Sequence, residues 1–299
     1  MKMRLCKIYA KKLLFITILI FCCLQKPAAQ QTASYSDDHQ GLFFGLSYGL
    51  SQSKITFEGA PATLNLTTTM KPASLGSLEL GYTFSKYFGL SSGLGFISYR
   101  NQLKLANYQN EFTTIDSENE QYDMTVTGTD ITEEQKIDLL TIPFCIHLRL
   151  PLSESMGLFV KSGINISIPI NKKYTSSGTF SYKGYYSKYN VTFENLPDIG
   201  FPSDKSISNT SDLKLNALYF TPTVSGGLYF NLEPNIQINL AANYNATVLK
   251  EAPSSVMANS PTNQFKLSPD IDHVNSLMGI SNKVNASSIG IEFTLRFYF

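Results

Sequence analysis

The closing stretch of the chain, Ser288 to Phe299, carries apolar side chains at every second position: Ile289, Ile291, Phe293, Leu295, Phe297 and Phe299. Gly290, Glu292, Thr294, Arg296 and Tyr298 lie between them. A period of two is a β-strand with one apolar and one polar face. The same alternation recurs upstream over residues 42–50, 74–84, 88–99, 138–150, 157–170, 213–230 and 235–247, giving eight strands. In the first of them Leu42, Phe44, Leu46, Tyr48 and Leu50 oppose an unusually small face of Gly45, Ser47 and Gly49. Between strands the chain alternates long polar segments (51–72, 100–136, 171–212, 248–286) with short turns at Ser85–Tyr87, Pro151–Met156 and Asn231–Pro234.

Four long connections and three short ones place all the long ones at one end. That asymmetry predicts an all-β fold: an eight-stranded antiparallel up-and-down transmembrane β-barrel, with three short periplasmic turns and four long extracellular loops. Strands of ten or more residues suit a tilted span of about 9–11 residues. The polar faces carry Glu79, Arg149, Lys161, Glu292 and Arg296 among Gly, Ser, Thr, Asn and Gln. In lipid the apolar face points outward and these charges line the lumen. A soluble β-sandwich of the same strand count is the competing fold, and it would turn the charged face to water instead. Aromatic residues gather towards both strand ends, as interfacial girdles do. Pro143 and Pro222 fall inside strands and are expected to cost a ladder bond or sit at a bulge.

The N-terminus modifies this picture. Lys2, Arg4, Lys7, Lys11 and Lys12 precede a 12-residue apolar run, Leu13 to Leu24, and then Pro27-Ala28-Ala29-Gln30. The run is too short to span a bilayer as a helix, and the pattern predicts a cleaved signal peptide over residues 1–30. A lipoprotein signal ending at Cys22 or Cys23 is the alternative, disfavoured by the bulky Phe21. A periplasmic lead, 31–40, and a single barrel domain, 41–299, complete the expected organisation. Removal of the signal takes Lys plus Arg from 24 to 18 against 23 acidic residues, so the expected mature charge is −5. Nucleic acid is therefore not an expected partner. Only Cys145 would remain, which excludes an internal disulfide and a Cys-based metal site. Mean hydropathy is −0.06, which excludes a bundle of transmembrane helices.

Leu139-Leu140-Thr141-Ile142-Pro143-Phe144, followed by Leu148-Arg149-Leu150, resembles a strand of the PorT-like outer-membrane β-barrel family. Gly41–Leu50, the hairpin over Leu78–Tyr99 and the closing Ile289–Phe299 resemble other strands of that family, although Leu139 stands where the family often has Tyr. The resemblance implies an outer-membrane barrel of a Gram-negative envelope. It also implies that Phe293, Phe297 and Phe299 present the last strand to the barrel assembly machinery. Some members assist protein secretion across the outer membrane.

Candidate chemistry is sparse. An eight-stranded barrel is too narrow for a pore, so Glu79, Arg149, Lys161, Glu292 and Arg296 are expected to form a lumen ion-pair network that fills it. His273, in Pro269-Asp270-Ile271-Asp272-His273, is the histidine on the loop side that a lipid-modifying enzyme would use, against the simpler reading of a solvated loop. The acidic segment 100–136 lacks the spacing of a calcium loop. Tyr182, Tyr185, Tyr186 and Tyr189 form the best binding candidate, because tyrosine supplies contact area at low entropic cost. Their competing reading is that the stretch simply extends the strands above the membrane. The expected function is thus an integral outer-membrane barrel with a structural or loop-mediated binding role. An accessory component of a secretion complex and a lipid-modifying barrel enzyme are the alternatives. No catalytic set, metal or cofactor is expected; outer-membrane lipid, the assembly machinery and an envelope protein are the expected partners.

Overall fold

A computed structural model describes residues 39–58, 65–251, 272–281 and 283–299. The expected signal peptide and most of the lead lie outside the described residues. Ten strands are described: β1 (Gly41–Glu58), β2 (Leu66–Thr83), β3 (Phe88–Ile115), β4 (Gln121–Pro151), β5 (Met156–Tyr186), β6 (Val191–Glu194), β7 (Lys205–Asp212), β8 (Tyr219–Glu233), β9 (Ile236–Glu251) and β10 (Lys283–Tyr298). Eight of them form a closed antiparallel ring in the order β1-β2-β3-β4-β5-β8-β9-β10. β10 returns to β1 in one unbroken register from Phe43↔Tyr298 to Glu58↔Lys283. β6 and β7 lie outside the ring and pair with β5.

Within the ring the alternation works as the sequence predicts. Leu46, Tyr48, Leu50, Leu78, Leu80, Leu140, Phe144, Leu148, Ile291 and Phe293 are exposed on the outside. Glu79, His147, Gln237, Asn239, Glu292, Thr294 and Arg296 are buried inside. Lipid rewards the first set, and the second can bond only to itself. The short turns hold: Ser85 accepts the backbone N–H groups of Tyr87 and Phe88 on its Oγ, both at 3.2 Å.

The long connections differ from expectation. Residues 100–136 are two strand extensions around a tip at Asp116–Glu120, and β5 runs on to Tyr186 before the chain turns. These extensions continue the same pleat with its polarity reversed. On β4, Ile131, Ile137 and Leu139 point inward and are fully buried, whereas Glu134 and Lys136 point out. Water replaces lipid outside, so the apolar side chains turn to the interior. Two clusters result. One joins Ile55, Leu75, Ile97, Tyr99, Ile137, Leu139 and Tyr219. The other, built from residues further out along the strands, joins Leu103, Leu105, Tyr122, Met124, Val126, Phe180, Tyr182 and Phe201.

Neither proline makes a bulge. The β3–β4 ladder skips two rungs at Pro143 and resumes in the same register, from Ser92↔Phe144 to Gly95↔Thr141. β8 pairs with β9 only from Thr223 onward, one residue past Pro222. Each proline therefore loses ladder bonds, for want of an N–H. The register shifts fall elsewhere, including Met70/Leu75, Thr129/Thr132 and Asp138/Leu139.

Leu139 and Leu140 are adjacent, one inside the apolar cluster and one in lipid. Leu139→Ala leaves a cavity and is expected to cost about 2–5 kcal/mol. Leu140→Ala leaves none, because lipid fills the space, and is expected to cost clearly less. Guanidinium unfolding in lipid vesicles measures both; equal costs would contradict the reversed polarity.

Candidate functional site

The membrane-level lumen is organised on Glu79. Its carboxylate accepts from Arg296 at 3.1 Å and from the Ser91 hydroxyl at 2.7 Å, and His147 Nε2 lies at 3.2 Å. Lys161 Nζ is 4.0 Å from Glu79 and 3.1 Å from Glu292. Two carboxylates thus meet two cations, and the buried charge balances, as burial in a water-poor lumen requires. The small inward face of β1 makes room: a Cβ at Gly45 would stand 3.3 Å from the Glu79 side chain and 3.5 Å from Arg296 Cγ, and the Arg296 guanidinium lies 4.6 Å over the Phe43 ring. Above the cluster a void of about 50 Å³, lined by Leu75, Ser77, Ile97, Asn165 and Asn245 among others, is of a size for a few waters.

Of the five lumen residues expected to join in one network, the structure brings four together and separates Arg149. Its guanidinium donates to Tyr298 Oη at 3.2 Å, to the His39 carbonyl at 3.1 Å and to the Ser85 carbonyl at 3.2 Å. It closes the periplasmic mouth. The reason is height: Arg149 lies two residues from the end of β4, beside the turns.

Two members of the cluster, Ser91 and His147, were not among the five lumen residues expected to pair. Their signal was phase, since both lie on the same inward polar face as Glu79. A serine, a histidine and a glutamate in contact invite a nucleophile reading, but the geometry opposes it. Arginine only donates, so the 3.0 Å contact from Arg296 makes His147 Nδ1 an acceptor. The proton then sits on Nε2, the nitrogen 2.6 Å from Ser91 Oγ. That nitrogen has no lone pair to take the serine proton, which a general base needs.

Within the apolar clusters, a segment of the fourth connection enters the barrel. Val274, Leu277 and Met278 are buried among strand side chains. Glu133, fully buried, holds the segment: it accepts from Leu277 N at 2.7 Å and Ser276 Oγ at 2.8 Å, and also from Ser176 and Gln135. His273, at the start of this segment, has its Nδ1 3.3 Å from Asn209 Nδ2, while Asp272 pairs with Lys205 at 2.6 Å. Asp270 and Pro269 lie outside the described residues. Among the described residues no group of three His, Cys, Asp or Glu is placed to hold a metal.

The tyrosine stretch is divided by the pleat. Tyr182 and Tyr186 are buried, Tyr185 and Tyr189 exposed. Tyr186 stacks on Tyr122 with centroids 4.9 Å apart, and its hydroxyl donates to Asp116 at 3.0 Å, tying the β3–β4 tip to the third connection. Backbone N–H groups, that of Glu120 foremost, hold the Asp116 carboxyl below its ordinary value. Burial, and then Asp116, push the Tyr186 phenol up to about 12. Lys188 pairs with Glu120 at 2.6 Å across the same junction. Phe293 and Phe299, of the expected assembly signal, are exposed on the outer face, with Phe297 half-buried between them.

A closed, lipid-faced ring of eight strands with a polar lumen defines an outer-membrane β-barrel protein. A family model described as outer membrane protein beta-barrel domain matches residues 28–245, and the chain belongs to that family. No curated protein matches it. Solved structures similar to it include OprG from Pseudomonas aeruginosa, at 13% identity over 88% of this chain and 99% of that one, with a TM-score of 0.37. Neisserial surface protein A follows at 10% identity, 86% and 97% coverage and a TM-score of 0.35. Ail of Yersinia pestis, in complex with a heparin analogue, gives 15%, 86% and 99%, and 0.29. The protein is placed in the cell outer membrane.

Two outcomes test this geometry. Arg296→Met strands the Glu79 carboxylate and is expected to destabilise the barrel by about 3–5 kcal/mol. Adding Glu79→Gln should recover much of that loss in the same unfolding measurement; an additive double variant would deny the coupling. Burial raises the Glu133 carboxyl above its ordinary value, against the lowering by Gln135, Leu277, Ser176 and Ser276. A raised value favours the inserted segment in the protonated form. That contribution is complete below the unfolded value of about 4.3 and is lost as pH rises through the folded one. Hydrogen-exchange protection at Leu277, corrected for intrinsic rate, should therefore fall with rising pH, and Glu133→Gln should flatten the profile. Protection that grows with pH would reverse the assignment.

Proposed function

We propose that the protein is a surface-displayed binding protein, in which the barrel is the mount and the tall β3–β4–β5 sheet carries a contact surface away from the membrane. The supporting observation is the far end of that sheet. Ile115, Tyr185, Tyr189, Val191, Leu196 and Ile199 are all exposed there, between 39% and 62%. Beneath them lie the stacked Tyr122 and Tyr186 and the Phe193–Phe201 pair, with centroids 6.1 Å apart. Exposed aliphatic and aromatic side chains on a packed support are the composition of a recognition surface, pre-ordered so that little entropy is lost on contact. The partner that fits is another protein of the envelope or its surroundings.

Catalysis has no part in this reading, since the proton on His147 faces Ser91 and Asp272 pairs with Lys205. The resemblance of the Leu139–Leu150 strand to PorT-like barrels supports a second setting, in which the partner is a component of a secretion assembly.

The test is a photo-crosslinking amino acid placed at Leu196 in intact outer membranes. A discrete protein adduct is expected, reduced at least tenfold in Tyr185→Ser/Tyr189→Ser with folded barrel level unchanged. Identification of the adduct separates a secretion component from other partners. Adducts with lipid alone would end the binding reading and leave a structural barrel.

A further inference from the structure

Just above the lipid-facing belt, the charges on the outer face are unevenly spread. Phe96, Leu140 and Ile170 mark the top of the lipid-facing apolar belt on β3, β4 and β5. The next charged outward positions are Arg100 on β3 and Lys173 on β5, and on β4 Asp138 followed by Lys136. The cations are also cross-strand partners: Arg100 pairs in register with Lys136, and Lys136 with Lys173. Three cations therefore stand side by side in one row. Like charges placed directly opposite each other across a ladder repel, so a sheet selected for stability alone would alternate their signs.

The nearby acids only partly answer them. Asp138 binds Arg100 at 2.7 Å and Glu134 lies 3.9 Å from Lys71. Asp212 on β7 is the register partner of Lys173. Among the described residues neither Lys136 nor Lys173 has a carboxylate within 4.0 Å. The row opens on a shallow cleft of about 490 Å³ whose walls include Lys71, Arg100, Lys136, Lys173 and Thr175, with Glu134 as its one carboxylate among the described residues. Its height matters more than its size. It borders the top of the apolar belt on the side of the long connections, where the headgroups of the outer leaflet lie. Elsewhere around the ring the charges at this height stand singly or paired: Lys54 on β1 lies opposite Ser287, Lys283 is paired with Glu58 at 3.2 Å, and β9 presents Val248.

We propose that Lys136 and Lys173, with Arg100 and Lys71 beside them, bind the phosphate groups of an outer-leaflet phosphorylated glycolipid. Phosphate accepts hydrogen bonds from several cations at once, and an anion shared between strands removes the repulsion within the row. A glycolipid fits better than a free anion because its acyl chains would lie on Leu140 and Ile170 directly beneath. This site is independent of the tip surface proposed above, and either can fail without the other.

Native mass spectrometry of the mature protein in detergent, titrated with a diphosphorylated diglucosamine lipid, tests it. Lys136→Gln/Lys173→Gln is expected to weaken binding roughly tenfold or more. Lys54→Gln/Lys86→Gln, which removes the same charge elsewhere, is expected to leave it within twofold. Heat-dependent gel mobility establishes that each variant is folded. The proposal is overturned by similar losses in both variants, or by equal affinity for the dephosphorylated lipid. Equal affinity for phosphatidylglycerol would also overturn it, by making the row a general anionic-lipid contact. Competition by inorganic phosphate at matching concentration would reassign the row to free phosphate.

Discussion

Inside a membrane no water is available to satisfy a backbone N–H or C=O, and the rest of the architecture depends on that constraint. The 16 consecutive partners joining β1 to β10 close the ring, so that no strand edge faces lipid. Closure of eight strands makes the lumen too narrow for a channel and forces the inward side chains to satisfy one another. The balanced set of Glu79, Glu292, Lys161 and Arg296 answers that requirement. The apolar clusters and the inserted 274–279 segment then seal the outer end.

One strand serves two solvents. β4 passes from lipid to water without changing its pleat, and the identity of the inward side chains changes instead, from Cys145, His147 and Arg149 to Leu139, Ile137 and Ile131. The reversal converts a membrane span into a free-standing stalk with its own core. The lumen side chains bond to one another, whereas the tip and the outer face at the membrane border present apolar and charged side chains outward.

Much of this was legible in residue order. The eight alternating strands, the short turns and the end at which they lie follow from period and spacing, because lipid enforces an apolar outer face over a whole span. The extensions were not legible as strands. Leu103 and Leu105, or Tyr122, Met124 and Val126, alternate just as clearly, but among charged neighbours and across the register shift at Thr129/Thr132. A reading tuned to apolar residues facing out finds only polar loops there. Tyr182 and Tyr186 fall under the competing expectation of strand extension, and their pleat phase turns them inward to pack beneath the surface on which Tyr185 and Tyr189 stand.

Alternation along the chain dictates which face each side chain takes, and so it dictated the class of fold, the outward belt and the polar lumen. Height around the barrel is different. It depends on the stagger between strands, which adjacent residues do not encode. For that reason Arg149 shares the phase of Glu79 yet closes the periplasmic mouth, while Ser91 and His147, distant in sequence, meet at the carboxylate. The row of Arg100, Lys136 and Lys173 has the same origin: three cations from separate strands become neighbours only when the register is set.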